Sequence, residues 1–190
     1  MTQYYYLVAY LPMLFFADAP PFNSQAWLDL CREQVSAGDH ALLSRIAFDA
    51  LSPRPGDHEI WHAYSSWETA LRNELARQRG QRLGLNPELF LREAPFYTDL
   101  SAIVKDALGA GTPKAVETAL DKRRWSYLEE LEANTQFGLG RLIVYRLKLQ
   151  LLERKNQFRP EPGLASFTAE YSQVLDNAVT WINSPLATEK

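Results

Sequence analysis

Sulfur and imidazole are scarce in this chain of 190 residues: one cysteine, two methionines and three histidines. Cys31 alone can close neither an internal disulfide nor a thiolate zinc site, which favours a reducing compartment. Positive charge is not in excess either. Twenty Lys and Arg against 23 Asp and Glu leave a net charge of −3 and a pI near 5.7, which argues against a protein built to coat nucleic acid. Long apolar runs are missing as well, and none approaches the ~18 residues of a bilayer span. The stretch from Met1 to Phe16 is apolar and aromatic. It carries no basic residue and no small-residue cleavage site, and Pro12 interrupts it, so it predicts neither a signal peptide nor a spanning helix. No G-K-[ST] occurs, and Gly109-Ala110-Gly111 and Gly138-Leu139-Gly140 follow no strand, so a phosphate-cradling loop is not expected. No serine or cysteine sits in a recognised nucleophile motif.

What is present describes a folded helical protein. The apolar share of 46% and charged share of 23% suit a chain of this length that buries a core without covalent staples. Helical spacing recurs at Trp27, Leu28, Cys31 and Val35, with Ser24 as the expected N-cap and Gly38-Asp39 as the break before the next helix. Leu42, Leu43, Ile46, Ala47 and Ala50 mark the inner face of that next helix. Ser52-Pro53-Arg54-Pro55-Gly56-Asp57 reads as a loop. A long helix follows from about His58 to Gln81, with Asp57 as its cap and Ile60, Tyr64, Trp67, Leu71 and Leu75 on one side. Further helices are expected over about 97–108, 114–133 and 139–152. The third of these is apolar on more than one side and therefore central. In the second, Val116, Leu120, Tyr127, Leu128 and Leu131 form the inner face and the charges face outward. Thr112-Pro113 supplies a cap and N1 pair. After Pro160 and Pro162 an amphipathic helix carries Phe167, Tyr171, Val174, Leu175, Ala178 and Ile182, and residues 184–190 read as a loose tail. The expected fold is an all-α multi-helix bundle, one domain over residues 1–190, with a weak sub-boundary near 109–112.

Three features invite a functional reading. His58-Glu59-Ile60-Trp61-His62 matches H-E-x-x-H, in which two histidines one turn apart hold zinc and the glutamate activates its water. Against this, His58 and His62 lie roughly opposite the apolar stripe, Ser65 stands where a metzincin has Gly, and His40 is the other histidine. A third ligand would have to come from Glu74, Glu88 or Glu93. The reading is therefore no metal and no cofactor, with zinc hydrolysis through His58, Glu59 and His62 as the alternative. Arg72, Arg77, Arg79 and Arg82, opposed by Glu74, form a basic helix end that suits the helix dipole or docks an acidic partner. The tyrosines Tyr4, Tyr5 and Tyr6 either pack into the core with their hydroxyls outward or form a partner-binding strip.

The opening Tyr4-Tyr5-Tyr6-Leu7-Val8-Ala9, with Leu11-Pro12, Pro20-Pro21, Ser24 and Cys31, resembles a bacterial protein family encoded alongside V/A-type ATPase genes. Ala119-Leu120-Asp121-Lys122 through Tyr127 and Leu128, then Leu142-Ile143-Val144-Tyr145-Arg146-Leu147-Lys148-Leu149, resembles a helical repeat of the C-type component of V-type ATPases (d-type in eukaryotes). Gln150 stands where that repeat has Asp, and Glu153 where it has Asn. The resemblance implies a funnel-like helical fold, no nucleotide site and no catalysis of its own. It implies a cytoplasmic adapter between central-stalk and rotor-ring subunits, reaching the membrane only through that complex. An assembly factor that visits the ATPase is the other role it admits.

Overall fold

The computed structural model describes residues 3–157, 168 and 170–175. Among them all regular elements are helical: α1 Tyr5–Tyr10, α2 Ser24–Arg32, α3 Ala37–Arg45, α4 Glu59–Leu83, α5 Leu100–Leu108, α6 Pro113–Ala133 and α7 Leu139–Gln157, with a 3-10 turn at Pro87–Phe90. The expected all-α class holds. One antiparallel bridge, Gln3 to Gly138, ties the start of the described chain to the entry of α7.

The chain divides into two compact units, Met1–Glu153 and Arg154–Lys190. The Gly109–Thr112 break falls inside the first, where it lets α5 turn back and pack against α6. In the second unit residues 168 and 170–175 are helical, and Tyr171, Val174 and Leu175 are exposed. The expected apolar positions Phe167, Ala178 and Ile182, and the tail 184–190, lie outside the described residues.

Helix starts follow side-chain chemistry more closely than sequence spacing suggested. Asn23, not Ser24, caps α2: its Oδ1 accepts the Ala26 N–H at 2.7 Å. Ser24 is left to donate, through its N–H at 2.6 Å and its hydroxyl, to the carboxylate of Glu153 on α7. Ser36 caps α3, so Gly38 and Asp39 belong to its first turn instead of the preceding break. Thr112 caps α6 with Pro113 at its first position, as a proline with no N–H to satisfy favours. α5 begins at Leu100, not near 97, after a stretch without regular structure from Leu91 to Tyr97 and a turn at Thr98 and Asp99.

Two apolar clusters fill the first unit. The larger joins α1, α2, α3, the first turns of α4, the second half of α6 and α7 from Leu139 to Leu152. The smaller joins Trp67, Ala70, Leu71 and Leu75 of α4 to Leu100, Val104 and Ala107 of α5 and Leu120 of α6. The long helices α4 and α6 run through both clusters, and the Trp67 and Tyr127 rings stack between them with centroids 4.3 Å apart. α7 is buried continuously from Leu142 to Leu149 and again at Leu151 and Leu152, the central position its girth of apolar residues predicts.

Burying α7 on all sides forces its polar residues to find partners. Arg146 donates to the carbonyls of Ile46 and Ser24 at 3.1 and 3.4 Å. Lys148 pairs with Glu132 of α6 and lies 4.8 Å from the Trp125 ring. Gln150 accepts the Phe48 N–H at 2.9 Å and donates to the Ile46 carbonyl at 3.0 Å. A carboxylate accepts only, so Asp at 150 could make the first bond and not the second.

Candidate functional site

The H-E-x-x-H motif is pulled apart by the helix it opens. His58 is not in α4 but caps it, with extended backbone (φ −64°, ψ 139°) and Nδ1 accepting the Ile60 N–H at 3.2 Å. This corrects the expectation that Asp57 is the cap. Asp57 instead pairs with Arg45 at 2.7 Å and accepts the Arg54 N–H at 2.8 Å, closing the proline loop. The Arg45 guanidinium holds its carboxyl below the usual range.

His62 lies one turn inside α4, and its Nε2 sits 3.1 Å from the Arg54 carbonyl. A carbonyl only accepts, so Nε2 carries the proton. The lone pair a metal would need is therefore on the other ring nitrogen. Among the described residues no group of three or more His, Cys, Asp or Glu side chains is arranged to hold a metal ion. Of the candidate third ligands, Glu74 pairs with Arg77 at 3.6 Å and Glu88 lies 3.9 Å from the same guanidinium. Glu93 is exposed in the segment after the 3-10 turn.

His58 and Glu59 do line a cavity of about 400 Å³, together with Asp39 and the Asn134–Gly140 turn. Asp39 and His58 already have work there. The Tyr4 hydroxyl donates to Asp39, and burial, with Asp39 second, raises that phenol. Burial also lowers the pKa of His58 and so favours the neutral ring that capping requires. Gly140 approaches so closely that a Cβ there would stand 2.8 Å from Thr135 Cγ2 and 3.0 Å from His58 Cε1. The second glycine of Gly138-Leu139-Gly140 is therefore a packing requirement. Cys31 is fully buried, with its thiol pushed up to about 12 by desolvation, a value that leaves it protonated and inert at neutral pH.

The four-arginine stretch also divides. Arg72 turns inward: it pairs with Glu68 at 2.8 Å and donates to the Phe48 and Asp49 carbonyls at 3.0 and 3.4 Å. It braces α4 against the loop after α3, with its side chain still 36% exposed. Arg77 is balanced by Glu74 and Glu88, and Arg79 faces Glu117 at 3.8 Å. Arg82, in the last turn of α4, is exposed.

Sequence spacing did not reveal the polar centre of the first unit. Glu68, Asp121 and Arg124 are all buried. Arg124 donates to both Glu68 oxygens at 3.0 and 3.1 Å and to Asp121 at 2.9 Å, with its guanidinium 5.4 Å from the Phe48 ring centre. Burial works against its charge, but the flanking carboxylates outweigh it and raise the guanidinium pKa. Charges on α6 thus face inward at this level as well as outward.

Among the described residues of the first unit, large apolar side chains are, in contrast, left uncovered at two places. On the N-terminal segment Tyr6 is 92% exposed, Tyr10 76% and Met13 79%, while Tyr4 and Leu7 are buried and anchor α1. Of the three tyrosines only Tyr4 packs into the core; Tyr5 leans on Phe137 with centroids 4.8 Å apart and stays half exposed. The second uncovered place is the end of α4 and the segment beyond it. No family model, curated protein or solved structure matches this chain.

Proposed function

We propose that this chain is a non-catalytic adapter of a bacterial V/A-type rotary ATPase, placed between central-stalk and rotor-ring subunits. One observation carries the reading. Of the three tyrosines on which the N-terminal resemblance rests, Tyr6 is presented outward and Tyr5 half so, on a short helix fixed from beneath by Tyr4 and Leu7. Exposed aromatics on a rigid support are what a protein interface uses for area at low entropic cost. The chemically capable groups support it too. His58 is spent on a helix cap, His62 on a loop carbonyl, and Glu68, Asp121 and Arg124 on one another. Among the described residues no helix is long and apolar enough to cross a membrane, which agrees with an attachment made through other subunits.

The test is purification of the intact ATPase from cells that express this chain at its native level. The adapter reading expects co-purification at a fixed ratio that survives size exclusion. A sub-stoichiometric chain, present only on incomplete complexes, would make it an assembly factor. Its absence from every ATPase fraction would overturn both roles.

A further inference from the structure

We infer that the segment joining α4 to α5 is a preformed docking knob for a protein partner that offers an apolar groove edged by carboxylates. Five large apolar side chains protrude here within a short stretch: Leu83 (71% exposed), Leu85 (61%), Leu89 (82%), Phe90 (73%) and Phe96 (89%). Isolated exposed apolar residues need no explanation, but a contiguous run of this kind marks an interaction surface.

The backbone beneath them is held firmly. Buried Asn73 of α4 reaches across to Arg92, donating to its carbonyl at 2.6 Å and accepting its N–H at 3.0 Å, as a neighbouring strand would. Gly84 takes the left-handed conformation (φ 66°) that reverses the chain, and the Leu85 N–H returns to the Gly80 carbonyl at 2.9 Å. Pro87 then lies flat against Gly80, where an added Cβ would stand 3.1 Å from Pro87 Cβ. Loop entropy is thereby spent during folding instead of on association, which favours tight docking of the side chains it presents.

Charge selects the occupant. Arg82 and Arg92 are exposed at this surface and have no ion-pair partner among the described residues. An apolar groove with carboxylates on its rim would satisfy both cations while burying the leucines and phenylalanines between them. An anionic bilayer recruits clusters of basic residues, whereas Glu88 and Glu93 stand exposed within this segment. The inference draws on the adapter proposal only for the source of the partner.

The full-length chain is tested with a photo-crosslinking residue at Phe90, Phe96, Tyr6 or, as a control on α6, Thr118. In parallel, Leu89→Asp with Phe90→Asp is measured for binding to purified V/A-type ATPase depleted of this chain. Crosslinks from positions 90 and 96 should land on an apolar stretch beside Asp or Glu in a stalk or ring subunit. The double variant should bind about a hundredfold more weakly, the scale of losing two central anchors, with an unchanged melting temperature. If the variant binds like wild type and only the Tyr6 position crosslinks, the knob is wrong and the adapter reading stands. If wild type binds no ATPase component, the adapter reading falls. The knob then survives only through crosslinks in cells from 90 and 96 to the carboxylate-edged apolar groove of one identified protein. Crosslinks to a second copy, flotation on phosphatidylglycerol vesicles that the double variant abolishes, or no crosslink at all would overturn it.

Discussion

Arg124 of α6 and Glu68 of α4 meet in a two-point contact, Nε to Oε2 at 3.0 Å and Nη2 to Oε1 at 3.1 Å, with both side chains almost fully shielded from water. Asp121 holds the guanidinium from one side, and Arg72 takes the remaining reach of Glu68 from the other. α4 and α6 run through both apolar clusters, so this group fixes their register where the clusters adjoin. Apolar contacts alone tolerate a slide of one helix on another far better than a bidentate ion pair does.

Removing one member of such a group leaves the other charged and dry. Arg124→Met is expected to cost about 3–5 kcal/mol, the usual range for stranding a buried charge. Arg124→Met combined with Glu68→Leu should recover part of that loss, because the dry carboxylate at 68 is then gone while that of Asp121 stays. Urea unfolding of the single and double variants decides the matter. A double variant as unstable as the single one would mean that shape, not charge balance, dominates at this contact.

His58 makes stability pH-dependent with a definite sign. Burial lowers its folded pKa, against the opposing pull of Glu59 and Asp39. The unfolded chain therefore binds the proton more readily as pH drops through about 6.5, and stability must fall over that window until the folded ring also protonates. Protonation also removes the Nδ1 lone pair that caps α4. His58→Asn keeps a capping acceptor without a titrating ring. Its melting temperature should change less than that of wild type between about pH 7.5 and about pH 5.5. Equal losses in the two proteins would place the sensitivity elsewhere.

The same geometry bears on zinc. With the one lone pair of neutral His58 engaged at Nδ1 in capping α4, metal binding by that ring would have to dismantle the cap, and His62 could offer only Nδ1. Elemental analysis of purified protein should find well below one zinc per chain, and chelators should leave the melting temperature unchanged. Stoichiometric zinc that disappears in His62→Ala would restore the hydrolase reading.

Much of this fold was legible in the order of residues. The girth of α7 announced a central helix, and Thr112-Pro113 announced the start of α6, because both signals are local. Caps were misplaced by a residue or more where a neighbouring polar side chain competed for the role, as Asn23 does with Ser24 and His58 with Asp57. Asp121 and Arg124 fall among the charges expected to face outward from α6, and Glu68 carries no local signal, because each becomes interior only when α4 and α6 come together. The four arginines of α4 lost their apparent unity for a similar reason. Glu88 and Glu117 are distant in sequence yet reach Arg77 and Arg79, and the Phe48 carbonyl reaches Arg72. The exposed apolar run from Leu83 to Phe96 could not be read from periodicity, since an irregular segment has no face to predict.

Two glycines give opposite tests of the packing around the His58 cap. Gly140 lies in the first turn of α7, where a helix interior ordinarily gains about 1 kcal/mol from Ala in place of Gly. Here a Cβ would meet Thr135 Cγ2 at 2.8 Å, His58 Cε1 at 3.0 Å and Ile60 Cγ1 at 3.1 Å. The ring cannot retreat without giving up the Ile60 N–H, and Ile60 is itself packed into the larger cluster. Overpacking of this kind costs about 1–3 kcal/mol, so Gly140→Ala should be net destabilising despite its better propensity. Gly38, in the first turn of α3, has nothing within 4 Å of a built Cβ and an ordinary φ. Gly38→Ala should therefore stabilise by about 0.4–1 kcal/mol through the unfolded chain alone. Chemical unfolding of both variants reads the two signs directly. A stabilising Gly140→Ala would show that the junction of α4 and α7 is looser than these distances require.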